Sequence, residues 1–515
     1  MERKYQDLGT RLAEIHDLKS AAALLEWDQT TYMPPGGAPA RARQVATLER
    51  LAHERFIDPA IGRLLDHLRA YEESLPYGSD EASLIRVTRR DYERAIRVPP
   101  SFVAELNSHT AESYQVWSVA RPANDFAAVR PYLQKTLDLS RQYADFFPGY
   151  EHIADPLIDR ADSGMKASSL RALFADLRDE LVPIVRAITA QPAADDACLR
   201  QFFPGAKQVA FSTEVIKRFG YDLTRGRQDV SPHPFTINFS VDDVRITVRI
   251  SEDMLGEEMF SAFHEAGHAM YEQGVAASLE GTLLAEGTSA GVHESQSRLW
   301  ENIVGRSYAF WSYFYPRLQA TFPDQLSGVS LDTFYRAINK VEPSLIRTGA
   351  DEVTYNLHVM LRLEFELALL EGSLEVQDLR AAWHERFSAD LGIAPPDDRD
   401  GVLQDVHWYG GVIGGQFQGY TLGNILSAQF YEAALKAHPE IPDDIADGRF
   451  ETLHSWLKEE IYRHGRKFTA PELVERVTGS PMHIEPYIRY LREKYGELYA
   501  LPASDAAVGP LLPSD

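Results

Sequence analysis

In EEMFSAFHEAGHAMYE (residues 257–272), His264 and His268 stand four positions apart. On a helix that spacing stacks both rings on one face, a turn apart. Two neutral imidazoles so placed can reach one metal ion, and zinc is the usual guest. Glu265 falls about 100° round the helix from His264. A carboxylate there contacts a metal-bound water without ligating the metal, which is the place of a general base. A pattern this short also arises by chance on amphipathic helices. Here Phe260, Phe263, Ala266 and Met270 recur at helical spacing, so the imidazoles are expected inside the protein.

A catalytic site of this kind takes a third protein ligand and leaves a fourth position open. Glu294, in GVHESQSRLWENIVG (residues 291–305), is the candidate, 26 positions after His268. Gly281, Gly287 and Gly291 break the chain between, leaving room to end one helix and lay a second beside it.

The 515 residues carry 44% hydrophobic and 25% charged side chains, as ordinary globular proteins do. With 52 basic and 76 acidic residues the net charge is −24, which repels nucleic acid and anionic membrane. The single cysteine, Cys198, excludes an intrachain disulfide framework and fits a reducing compartment. The N-terminal MERKYQDLGTRLAEIHDL lacks the apolar core of a signal peptide, and no apolar run is long enough to span a membrane. The expected location is the cytoplasm.

Amphipathic helices are expected over 1–25 and 38–54, with EWDQTTYMPPGG (26–37) as the turn-rich insert between them. Further helical patterns cover about 80–95, 101–120, 127–146 and 167–190, the last expected to kink at Pro183. The period changes to two at Phe235–Val241 and Val244–Ile250, which predicts two strands with one face buried, joined at Asp242-Asp243. Arg245, Thr247 and Arg249 then share the polar face. Spacing leaves two readings of this hairpin open: an edge that pairs with an extended peptide, or a solvent-facing hairpin with surface arginines. Helix resumes at Val353–Leu370. The glycine-rich Tyr409–Gly423 reads as a loop, with helical pattern restarting at Gly419–Asn424. A last helix is expected near 485–499, and the tail from about 502 is expected to be mobile. No short repeat or low-complexity linker interrupts the chain, so one continuous domain over 1–515 is expected.

These strings together resemble the Taq-type thermostable carboxypeptidase family of zinc metallocarboxypeptidases. The resemblance rests on the HEAGH string with Glu294, on Trp27, Asp28, Met33, Pro34, Gly36, Gly37, Arg41 and Gln44, on His233-Pro234-Phe235, and on Asp243-x-Arg245-x-Thr247. Gly401-Val402-Leu403-Gln404-Asp405-Val406-His407-Trp408 matches the family's G-x-x-Q-D-x-H-W string in full. Ile346-Arg347-Thr348-Gly349-Ala350-Asp351 matches its I-R-x-x-A-D string, with Gly349 in place of an acidic residue. The resemblance implies a mainly α fold, one large helical domain with a deep active-site groove and a small β-hairpin beside the metal helix. It also implies one Zn2+ per chain, replaceable by Co2+, held by His264, His268 and Glu294. Homodimers acting on peptides are implied as well.

Amide hydrolysis requires a base for the water, stabilisation of the oxyanion and an acid for the leaving amine. Glu265 serves as base and then acid. Tyr420 and His407, each in a family string, are candidates to contact the reacting carbonyl, with His233 a third. An exopeptidase also needs a cation for the chain end, for which arginine's fork is suited. Arg347, Arg245 and Arg249 are open to that role from the sequence, and the resemblance favours Arg347. It further places His233, Asp243, Arg245 and Gln404 among the substrate-binding residues. The reading is a zinc carboxypeptidase in which Glu265 activates a metal-bound water. The alternatives are a metallo-oligopeptidase that cuts internally and a non-catalytic peptide-binding scaffold with a structural zinc.

Overall fold

The computed structural model describes residues 1–501; the tail expected to be mobile from about 502 lies outside them. The fold is mainly α with one three-stranded sheet, as the sequence implies. Four helices position the site: α1 (Glu257–Gly274), α2 (Ala290–Arg298), α3 (Tyr355–Glu371) and α4 (Gln418–Ala437). Glu257 and Glu258 open α1, where acidic side chains complement the helix dipole. Ser289 caps α2, its hydroxyl accepting from Val292 N at 3.1 Å. A π-helical turn, Leu299–Val304, continues α2 and carries Glu301.

The sheet runs β1 (Gln228–Val230), β3 (Asp243–Val248), β2 (Phe235–Ser240) in spatial order. β2 and β3 are antiparallel, pairing Phe235 with Thr247 and Ile237 with Arg245, and β1 joins β3 in parallel. Val244, Ile246 and Val248 of β3 are fully buried in one apolar cluster with Phe263, Ala266 and Met270 of α1. The hairpin is thus real, and most of its polar positions turn inward, while Arg249 just past β3 is exposed and pairs with Glu257 at 2.8 Å. Thr236 and Asn238 of β2 bond Glu265 and Glu272 of α1, and Thr247 is buried under Ser231 and the Phe235 backbone.

Three expectations shift. The first helix runs Glu2–Thr31 rather than stopping at 25, so Trp27 and Asp28 are helical and only 32–37 is connection. Those two residues do pack and tie: Asp28 pairs with Arg41 at 2.7 Å, and Trp27 lies under the Arg245 guanidinium at 4.5 Å. As expected, a helix covers Ala167–Thr189 with Pro183 inside it. The glycine-rich loop is shorter than expected, because α4 begins at Gln418 and includes both Gly419 and Gly423. Strand β1 and the helix Pro59–Ser74 are additional elements.

Two large apolar clusters fill the molecule, one around α1 and one around α3. Helix α4 belongs to both, giving Leu422 and Ile425 to the α3 cluster and Leu426 and Phe430 to the α1 cluster.

Candidate metal centre and substrate pocket

His264, His268 and Glu294 converge, with one donor atom from each inside 4.8 Å of the others. Glu294 Oε2 stands 3.8 Å from His264 Nε2 and 3.5 Å from His268 Nε2. Ligand bonds of about 2.0–2.2 Å in a tetrahedral site hold donor atoms roughly 3.3–3.6 Å apart, close to these spacings. The other atom of each ligand is already engaged. His264 Nδ1 meets Glu301 Oε2 at 2.9 Å, and Glu294 Oε1 accepts from Arg298 Nε at 2.8 Å. His268 Nδ1 meets His293 Nδ1 at 2.6 Å, and His293 Nε2 meets Glu272 Oε1 at 2.6 Å. Each ligand therefore has one lone pair left, turned inward, and the donor set fits a divalent ion. Burial pushes His268 down to about 4, so its ring is neutral as a ligand must be. Burial works against the charge on Glu294, but Arg298, His264 and His268 together outweigh it and hold the carboxyl far below its usual range.

Glycine lets these helices meet. A Cβ on Gly267, between the two histidines, would lie 2.6 Å from Gln296 O and Ser297 Cα of α2. On the far side of α2, a Cβ on Gly423 would lie 2.5 Å from Glu294 Cγ. Glu265 is buried beside His264, and its Oε2 accepts from Thr236 Oγ1 of the sheet at 2.7 Å. Burial raises its pKa, with His264 and Thr236 working the other way.

A second group centres on Asp405. Its carboxylate accepts from Arg347 Nε at 2.8 Å and Arg362 Nε at 2.7 Å, and meets His407 Nδ1 at 2.7 Å. Gln404 Oε1 accepts from Arg347 N and Arg362 Nη2, both at 2.9 Å. Two buried guanidinium groups thus face one carboxylate, leaving an uncompensated positive charge. Burial lowers Arg362 to about 10, still charged at neutral pH. His407 Nε2 lies 3.3 Å from Tyr420 OH.

Tyr355 links the two groups. Its hydroxyl accepts from Arg347 Nη1 at 2.9 Å, and its ring lies 4.8 Å under the Arg298 guanidinium that holds Glu294. The Tyr420 ring meets the Tyr355 ring edge-on, centroids 6.2 Å apart. Of the residues expected from the sequence, Arg347, Gln404, His407 and Tyr420 are thus brought together beside the ligand cluster. Asp243 and Arg245 instead pair with each other at 2.7 Å, and Arg245 stacks on Trp27 and Phe239. His233 is exposed, its carbonyl accepting from Ser231 Oγ at 2.5 Å.

The profile of the family described as Carboxypeptidase Taq (M32) metallopeptidase matches residues 7–495. The chain belongs to that M32 family. This M32 carboxypeptidase is 42% identical to Thermostable carboxypeptidase 1 of Thermus thermophilus over 508 residues, covering 97% of this chain and 99% of that one. It is 34% identical to Carboxypeptidase 1 of Bacillus subtilis, covering 97% and 99%. Among solved structures, an M32 carboxypeptidase from Deinococcus radiodurans R1 superposes with a TM-score of 0.94 at 49% identity, covering 97% of this chain and 100% of that one. The M32 carboxypeptidase is therefore a peptide hydrolase, and a metallopeptidase needs a place for its metal.

Sequence reasoning passed over Thr236, Glu272, His293, Arg298, Glu301, Tyr355, Arg362 and Asp405 as members of these groups. Helical spacing held a signal for several. His293 adjoins Glu294, Arg298 and Glu301 follow it at i+4 and i+7, and Glu272 is i+4 from His268. Arg362 is an arginine inside an otherwise apolar helix, which is itself the mark of a paired, buried charge.

Proposed function

We propose that this M32 carboxypeptidase is zinc-dependent, that His264, His268 and Glu294 hold the ion, and that Glu265 activates the water. The observation that carries the carboxypeptidase geometry is the spare buried charge of Arg347 and Arg362 over Asp405, linked through Tyr355 to the ligand cluster. When bound, the ion supplies Lewis acidity to a water and to the scissile carbonyl. Glu265 takes the water's proton and returns it to the leaving amine, so one carboxylate serves both transfers. Thr236 fixes that carboxylate by its hydroxyl. Tyr420 donates to the developing oxyanion. Burial holds its phenol well above the usual range, so it remains a donor at any working pH. His407, held by Asp405, positions the Tyr420 hydroxyl.

Arg347 receives the terminal carboxylate of the peptide. A substrate carboxylate neutralises the spare charge, which a chain running on past the site cannot do. A bidentate guanidinium also fixes direction as well as position. The single cysteine, Cys198, suits the reducing cytoplasm.

The test is one unstructured peptide, offered with a free and with an amidated C-terminus, its products followed by mass spectrometry. Stepwise loss of single C-terminal residues is expected from the free peptide, blocked by a chelator and restored by zinc. Equal cutting of the amidated peptide would overturn the role of the carboxylate anchor. Elemental analysis should find one zinc per chain.

A further inference from the structure

The outer atoms of the three ligands are not held alike. Glu301 meets His264 directly and Arg298 meets Glu294 directly, but His268 reaches its carboxylate, Glu272, through a second imidazole. The protons along that line can be placed from its far end. Asn238 Nδ2 donates to Glu272 Oε2 at 2.6 Å, and Gly287 N donates to Oε1 at 3.0 Å. Glu272 is buried among donors, so it accepts, and His293 Nε2 must carry a hydrogen. With His293 neutral, its Nδ1 is bare and accepts from His268 Nδ1–H. The one tautomer left to His268 has its lone pair on Nε2, the atom that faces Glu294.

We propose that Glu272, acting through His293, is a positioning residue that fixes His268 in its metal-binding tautomer and strengthens it as a donor. His293, Arg298 and Glu301 all belong to α2 or its π-helical continuation, so one short stretch supplies a ligand and an orienting group for all three ligands. The inference rests on the assignment of His264, His268 and Glu294 as ligands. Outer partners of this kind typically change metal affinity about 10- to 100-fold.

The test compares the parent with Glu272→Gln, His293→Phe and the double variant. Each is stripped of metal, checked for fold by circular dichroism, and titrated with Zn2+ against a chromogenic chelator. Co2+ spectra are taken on the same proteins, since a purely structural role would leave the d–d bands of a folded protein unmoved. Both single variants should bind zinc about 10- to 100-fold more weakly, with shifted cobalt bands. The double variant should be no weaker than His293→Phe, because the two residues act in series. Parental affinity and spectra in a folded variant would overturn the proposal, as would losses that multiply. Measuring both variants lets one decide if the other fails to fold. A parent that bound no metal would instead remove the ligand assignment itself.

Discussion

Gly423 touches Glu294 with nothing between them: a Cβ on Gly423 would stand 2.5 Å from the Cγ and 2.6 Å from the Cβ of that side chain. Helix α4 therefore sets the depth of a proposed metal ligand. The atoms in the way are the root of a side chain and its backbone, which cannot swing aside as a side-chain tip can. Gly423→Ala should displace α2, at a cost of about 1–3 kcal/mol from overpacking. Thermal unfolding and elemental analysis of the purified variant read the two effects. An unchanged midpoint with full metal content would show that the contact does not control the ligand.

Glu265→Gln should keep the metal and lose turnover. The amide retains an oxygen for Thr236 but cannot take a proton from water. A general base contributes typically about 10²–10⁴ in rate, and this one acts twice. Metal content equal to the parent's, with at least about a hundredfold loss in kcat, is expected. A variant keeping more than about a tenth of the parental rate would remove Glu265 from the mechanism.

How much of this was legible depended on how far apart the partners lie in sequence. The His264 and His268 pair was readable because helix geometry alone brings the two together. In the Asp405 group Arg347, Gln404, His407 and Tyr420 were named from their strings, but the Arg362–Asp405 pair was not, because the two are 43 positions apart and meet through tertiary packing. Gly419 and Gly423 carry two signals: poor helix propensity extends the loop reading to Gly423, while the helical pattern restarting at Gly419 agrees with α4 beginning at Gln418. Strand β1 is too short, at three residues, to show a period. The alternation in β2 is that of a strand but not of one with a single buried face: all six positions are half-buried, and the polar Thr236 and Asn238 meet the helix that carries Glu265 and Glu272.

Buried Glu258 gives a pH signature separate from catalysis. Its Oε1 accepts from Ser212 at 2.7 Å and Gln228 at 3.1 Å, while its other oxygen is buried without a partner. Burial raises its pKa from 4.5 to about 7. The folded chain thus holds this proton more tightly than the unfolded one, so stability falls as pH rises from 4.5 to about 7 and stays lower above. Glu258→Gln keeps the acceptor and removes the charge. Urea unfolding should show the variant gaining on the parent across that window, by on the order of 2–3 kcal/mol at pH 8. Parallel curves from pH 5 to pH 8 would show that this carboxyl is not the source.

Arg347 can be tested against the peptide's own carboxylate. Arg347→Ala leaves Asp405 with Arg362 and His407, so the pocket becomes neutral while Asp405 stays paired. Its attraction for an anionic chain end should then vanish. A hydrogen bond to a charged group is worth roughly 1.5–3 kcal/mol, or about 10- to 150-fold in kcat/KM. Amidating the peptide removes the same charge from the other side. The comparison is a cycle of four measurements, parent and variant against free and amidated peptide. The expected result is strong non-additivity, with Arg347→Ala costing little once the peptide is amidated. Arg347→Lys should recover only part of the loss, since an ammonium cannot reproduce the fork that holds Asp405 and Tyr355 together. If the losses from Arg347→Ala and amidation simply multiply, the carboxylate is bound elsewhere. Arg362 would be tested next, as the other source of the spare charge.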